Sequence, residues 1–183
     1  VLFRSTKIRM SRCQKPGFTL SGGMDSSSII GSAVWSTGEK QQAFSSIYDD
    51  KTFDESDDIT TILNHTVSDW QQVKVTGEDV LESVEKMIEI NDEPVATATW
   101  FSHLKVCERA AKFGITHLFS GLGGDELNAG EHEHFVPFFA DLKVNNEKER
   151  LNREVIKWSE HHSHTLFPKS LAIMEESIDQ MFN

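Results

Sequence analysis

The chain of 183 residues carries a formal net charge of −11 and has a pI near 5.1. That length suits one ordinary domain with an appendage, and the acidic balance argues against a nucleic-acid partner, whose phosphates need a basic surface. A small anion held by local donors and a metal stays open. No apolar run approaches the roughly 18 to 20 residues that cross a bilayer, and the chain opens with no signal-peptide pattern. Cys13 and Cys107 lie far apart without metal-ligand spacing, as expected of reduced thiols in a cytoplasmic protein.

Residues 1–14 set Leu2, Phe3, Ile8, Met10 and Cys13 among four basic residues, a weak helical pattern. It starts abruptly, without an initiator methionine, and reads as part of something longer. Pro16-Gly17 breaks it, and Phe18-Thr19-Leu20 is a short strand. The strand enters Ser21-Gly22-Gly23-Met24-Asp25-Ser26. Two adjacent glycines let the backbone approach a ligand, and amides at a helix N-terminus favour an anion. Hydroxyls of Ser21, Ser26 and Ser27 add donors, and Asp25 stands where a carboxylate holds a divalent cation on a phosphate. Taken alone the turn is either a pyrophosphate cradle or a serine-rich turn with a good N-cap. No Gly-Lys-Ser/Thr follows, so it is not a Walker A loop.

A helix over Ser26–Trp35, with Ile29, Ile30, Ala33 and Val34 on one face, ends near Gly38. Ala43–Tyr48 is the next strand. Phe53–Ser68 is a helix with acids at its start and Ile59, Ile62, Leu63 and Val67 at helical spacing, and Trp70–Val75 alternates as a strand. Gly77–Ile90 is a helix with Val80, Leu81, Val84, Met87 and Ile88 inward, and Trp100–Phe113 is another. The strand His117-Leu118-Phe119 then runs into a second glycine turn, Ser120-Gly121-Leu122-Gly123-Gly124-Asp125-Glu126. Strands alternating with helices predict a parallel α/β sheet with helices on both faces, whose ligands bind beyond the carboxyl ends of the strands. Both turns then open on one edge, where Asp25 and Asp125 can meet over one ligand. A plain strand-to-helix connection explains the glycines but not the Asp-Glu pair straight after them.

Ser21–Ser26 resembles the SGGxDS motif of the N-type ATP pyrophosphatases, and Ser120–Glu126 is similar to the SGxGxDE motif of the asparagine synthetases. Phe44-Ser45, Phe53-Asp54-Glu55-Ser56 and Asp92-Glu93-Pro94 fit the same group. The resemblance implies a three-layer Rossmann-like fold of the adenine nucleotide alpha-hydrolase type over residues 1–140, with a helical extension over 141–183. It implies an ATP-dependent, AMP-forming carbon–nitrogen ligase. ATP would activate a carboxylate, for asparagine synthetase the aspartate side chain, with release of pyrophosphate, and ammonia from a glutaminase domain would displace AMP. Carried over, Ser21, Gly22, Gly23 and Ser26 hold pyrophosphate. The catalytic candidates Asp25 and Asp125 bind Mg2+, Leu20, Ser120 and Gly121 contact the nucleotide, and the Ser46 backbone touches adenine.

Three features depart from the pattern. Leu122 stands where the family commonly has an acid or amide, there is no glutaminase segment, and no residue after the second motif aligns with the family's catalytic lysine. Lys169 is left unassigned, and a fragment with its nucleotide half intact is the expectation. Alternatives are a nucleotide-binding module of this fold without ligase activity and a relative of the β-lactam synthetases. The clusters Glu131–His134 and His161–His164 lack zinc-protease spacing and read as surface histidines rather than a metal site. Phe135, Val136, Phe138 and Phe139 are expected to pack on the sheet. The helices over 145–161 and 171–182 are expected on the core or on each other around Pro168.

Overall fold

In the computed structural model the described residues are 2–95, 97, 99–128, 130, 132–161 and 169–181. They divide into two compact units, Val1–Leu122 and Gly123–Asn183.

The first unit is built on four strands, β1 (Pro16–Thr19), β2 (Gln41–Ile47), β3 (Val67–Lys74) and β4 (His117–Phe119). They pair in the order β3-β2-β1-β4, every pairing parallel. Parallel neighbours need long crossovers, usually helical. After α1 (Leu2–Met10), helix α2 (Met24–Thr37) joins β1 to β2 and α3 (Ser56–Thr66) joins β2 to β3, while α4 (Gly77–Asn91) and α5 (Thr99–Lys112) join β3 to β4. Side chains of a strand alternate between faces. Phe18 and Ala43 pack on one face with Ile30, Ala33 and Ile59 from α2 and α3, whereas Phe44 packs on the other with Val106 and Ala110 from α5. The unit is therefore a three-layer, Rossmann-like parallel α/β fold, as the alternation of elements in the sequence implies.

Several boundaries differ from the sequence expectation, each for a physical reason. Strand β1 starts at Pro16 rather than Phe18, because a proline is tolerated as the first residue of a strand. Helix α3 stops at Thr66, and β-branched Val67 enters the extended region and starts β3 with no loop between. Phe53 lies outside α3. Its N–H bonds Asp50 O at 3.1 Å in a turn that carries Asp54 and Glu55 up to the helix. The inward face expected for α4 is corrected most. Met87 is buried, but Leu81 is 77% exposed and Val84 and Ile88 are more than a third exposed. This helix packs on α5 and is tied to it by Lys86–Glu108 and Lys105–Asp79, so Ser83 and Met87 are buried and Val80 is half-buried.

The second unit is helical, with α6 (Gly124–Asn128), α7 (His132–Val144), α8 (Lys148–His161) and α9 (Leu171–Met181). Phe139, Ala140 and Leu142 of α7 close a core with Val155 and Trp158 of α8 and Met174 and Ile178 of α9, flanked by Phe135 and Val136. Of the apolar run Phe135–Phe139, which the sequence places on the sheet, Phe135, Val136 and Phe139 pack in this core with α8 and α9, while Phe138 is 39% exposed. The apolar positions of those two helices recur at helical spacing and present matching stripes. Of the two histidine clusters only His134 has a described side chain, and Pro168 lies outside the described residues. None of the helices described is long and apolar enough to cross a membrane.

Candidate functional site

The strand order reverses between β1 and β4. From β1 the chain moves outward to β2 and β3, then returns to the other side of β1. In an open parallel sheet the crevice beyond the carboxyl ends at such a reversal is where a ligand fits. Two turns of the first unit line it, Leu20–Gly23 after β1 and Ser120–Leu122 after β4.

Leu20 is fixed from both sides. Its N–H donates to Phe44 O at 2.9 Å, and its carbonyl accepts from the buried Ser45 hydroxyl, which in turn accepts from Trp70 Nε1 at 2.9 Å. Beyond it the loop closes on itself. Buried Ser26 Oγ accepts from the Ser21 N–H at 3.1 Å and lies 2.9 Å from Ser21 Oγ, and the Ser27 hydroxyl donates to Gly23 O at 2.7 Å. The serines thus shape the turn from within, and none of them caps the helix. The N-cap of α2 is Gly23, with no side-chain cap hydrogen bond. The capped serine turn left open by the sequence is not what forms, and no side-chain cap holds the first-turn amides of α2.

The second turn lies directly on the first. A Cβ placed on Gly121 would fall 2.5 Å from Ser26 N and 2.7 Å from Asp25 C, so backbone meets backbone at the start of α2 and only glycine fits. Ser120 Oγ accepts from the Leu122 N–H at 3.1 Å, and Leu122 is exposed. Ser120 and Leu122 also border a cleft of about 640 Å³ between α1 and β4, which Arg9, Arg12 and His117 line. Neither arginine has an ion-pair partner among the described residues.

Leu20, Ser21, Gly22, Gly23, Asp25, Ser26, Ser120 and Gly121 therefore share one rim. Ser46 lies near the end of β2, opposite Val73 of β3. Tyr48 OH lies 3.3 Å from Ser46 Oγ and donates to Ser102 Oγ at 2.6 Å. Asp25 stands half-buried in the first turn of α2. Asp125 belongs to the second unit, exposed in the first turn of α6, with its carbonyl accepting from the Gly130 N–H at 2.9 Å.

One participant went unassigned in the sequence. The Gly22 N–H donates to Glu55 Oε2 at 3.1 Å across 33 residues of chain. A Cβ on Gly22 would fall 2.5 Å from Asp58 Cβ, so the start of α3 is seated on the loop. Asp54 anchors that start, accepting from the Tyr48 N–H at 3.1 Å and from the Ser56 hydroxyl. The Ser56 and Tyr48 hydrogen bonds hold the Asp54 carboxyl below its ordinary range. An Asp-Glu-Ser triplet before an amphipathic helix was the available signal, but nothing local says which loop it touches.

The Glu55 carboxylate rests on the Gly22 amide of the loop. Among the described residues no group of three or more His, Cys, Asp or Glu is placed to hold a metal. A cation bound through phosphates needs only one or two protein carboxylates, and Asp25 fits that requirement.

A parallel sheet with a glycine turn entering an uncapped helix at its reversal point defines a Rossmann-like α/β unit. The sequence matches the asparagine synthase family over residues 1–175, and the chain belongs to that family. A curated relative from Methanocaldococcus jannaschii, named "Putative asparagine synthetase (glutamine-hydrolyzing) 2", is 33% identical over 143 residues, which cover 78% of this chain and 27% of the relative. The chain thus spans about a quarter of that relative's length. The NH3-dependent NAD synthetase of Campylobacter jejuni, solved with a nitrate ion, aligns over 98% of this chain and 90% of its own at 12% identity with a TM-score of 0.39, too low to bear on fold or function.

Proposed function

We propose that this chain is the ATP-binding synthetase part of an asparagine synthetase-type ligase. A substrate carboxylate, with aspartate the first candidate, attacks the α-phosphorus of ATP. The acyl-adenylate forms and pyrophosphate leaves. Ammonia then attacks the acyl carbon, the C–O bond to AMP breaks, and an amide results. A glutaminase domain is the proposed ammonia source.

The observation that carries this reading is the uncapped start of α2 at the reversal point, with Gly121 packed on it and an anionic group already on the Gly22 amide. Fixed N–H donors stabilise charge where it develops without reorganising, which suits a departing pyrophosphate. In this reading Gly22, Gly23, Ser21 and Ser26 cradle the pyrophosphate, Leu20, Ser120 and Gly121 contact the nucleotide, and the Ser46 backbone meets the adenine. Asp25 and Asp125 are the proposed magnesium ligands. Magnesium, when bound, supplies positive charge to the phosphates.

Calorimetry with ATP and magnesium tests the reading. Binding is expected, and Asp25→Asn should weaken it about tenfold or more, the loss of one charged contact. Absence of nucleotide binding, or indifference to that change, would overturn it. Pyrophosphate release on adding aspartate and ammonium separates a ligase from a module that only binds nucleotide.

A further inference from the structure

The contact between Glu55 and the Gly22 amide has a consequence for the loop's affinity. We infer that Glu55 is a displaceable stand-in for a phosphate oxygen, holding the loop closed until the ligand's anion replaces it. This rests on the proposed nucleotide role of the loop and adds a control on that same site.

Three features make the contact a built one. Glu55 is the N-cap residue of α3, yet its side chain makes no cap bond to its own helix. It reaches instead to Gly22, at 3.1 Å. The backbone that carries it is held on both sides, by the Asp54 bond to the Tyr48 N–H and by the Ile59 N–H to Glu55 O at 3.0 Å, with Ile59 buried. Asp58 packs against Gly22 from the same turn, so the start of α3 and the loop lie directly against each other. The carboxylate itself is exposed and free to swing away.

An amide N–H gives one good hydrogen bond, and a charge-assisted one is stronger than a neutral one. A phosphate oxygen and the Glu55 carboxylate therefore compete for the same donor, and they repel each other as like charges. Three acids, Glu55, Asp57 and Asp58, open this helix or its first turn, so an anion approaching the loop meets a negative field. The ligand gains the Gly22 amide only by displacing Glu55. Affinity is thereby lowered and the loop kept ordered when nothing is bound.

The test is calorimetric titration of inorganic pyrophosphate, with and without magnesium, into the wild-type chain, Glu55→Gln and Glu55→Ala, with thermal unfolding run in parallel. The competitor role predicts about threefold to tenfold tighter pyrophosphate binding for both variants, the worth of one exposed charge-assisted bond, and a small fall in unfolding temperature. A purely structural Glu55 would lower stability and affinity together, so equal or weaker binding by folded variants overturns the inference while leaving the nucleotide reading intact. Weaker binding confined to the magnesium arm would make Glu55 a holder of the cation instead, and likewise overturns it. If neither the wild type nor any variant binds pyrophosphate or ATP, the nucleotide reading itself fails and this control falls with it.

Discussion

The core of the second unit and the rim of the first are held together in different ways. The second unit has a side-chain core. Phe139 of α7 is 1% exposed and packs edge-on to Trp158 of α8 at 5.9 Å, with Met174 and Ile178 of α9 closing the layer. The rim of the first is a backbone construction, with Leu20 pinned by ladder and hydroxyl bonds, Ser21 and Ser26 closing the turn, and Gly121 lying on the start of α2. A packed core tolerates a change of apolar side chain of similar volume. A rim made of backbone contacts tolerates almost nothing with a Cβ in the wrong place.

The largest effect that sharpens this contrast is expected at Phe139. Phe139→Ala removes a fully buried ring between three helices and should cost about 3–5 kcal/mol, because the cavity collapses only in part. Denaturant unfolding followed by tryptophan fluorescence measures it. Phe139→Leu keeps most of the volume and should cost under about 1.5 kcal/mol.

Gly121→Ala adds one carbon and should be worse than its size suggests. The new Cβ meets Ser26 N and Asp25 C, which are backbone atoms of a helix start and cannot rotate away. Overpacking of this kind costs about 1–3 kcal/mol, and ATP binding should fall further than stability does, since the displaced turn is the proposed cradle. Preserved binding in a folded Gly121→Ala variant would break the contrast by showing that the rim yields as a core does.

The contrast also explains which parts of the structure were legible in the sequence. Strands alternating with helices along the chain specified the parallel three-layer unit, and the structure sets the neighbours Ala43 and Phe44 of β2 on its opposite faces. The glycine turns were placed correctly at the ends of β1 and β4, because turn chemistry is local. Packing partners were not legible. Periodicity on α4 showed that Leu81, Val84 and Ile88 share a stripe, but not how much of that stripe its neighbour α5 covers. Phe135–Phe139 announced a buried segment without saying what it packs on. The same limit hid Glu55, because a carboxylate 33 residues from the loop it touches has no local signature. The internal bonding of Ser21 with Ser26 was equally invisible, since the residue types alone left a capped turn and an open cradle both standing.

The smallest effect concerns the anchor beneath Glu55. Asp54 accepts from the Tyr48 N–H and the Ser56 hydroxyl, and these bonds lower its pKa in the folded chain from the ordinary 3.8. A carboxylate whose folded pKa is depressed contributes stability that is fully present above its unfolded value and is lost as pH falls through the folded one. The link between β2 and α3 should therefore be intact at neutral pH and weaken only as pH falls from the ordinary Asp range through the lowered folded value, where Asp54 takes up a proton. Asp54→Asn removes this titration, so the difference in unfolding temperature between wild type and variant should be widest at pH 7 and shrink toward pH 3. Because the site is exposed, the difference should stay small. A difference that does not change across that range would mean that Asp54 holds α3 by shape alone, and the start of α3 would then belong with the packed core rather than with the hydrogen-bonded rim.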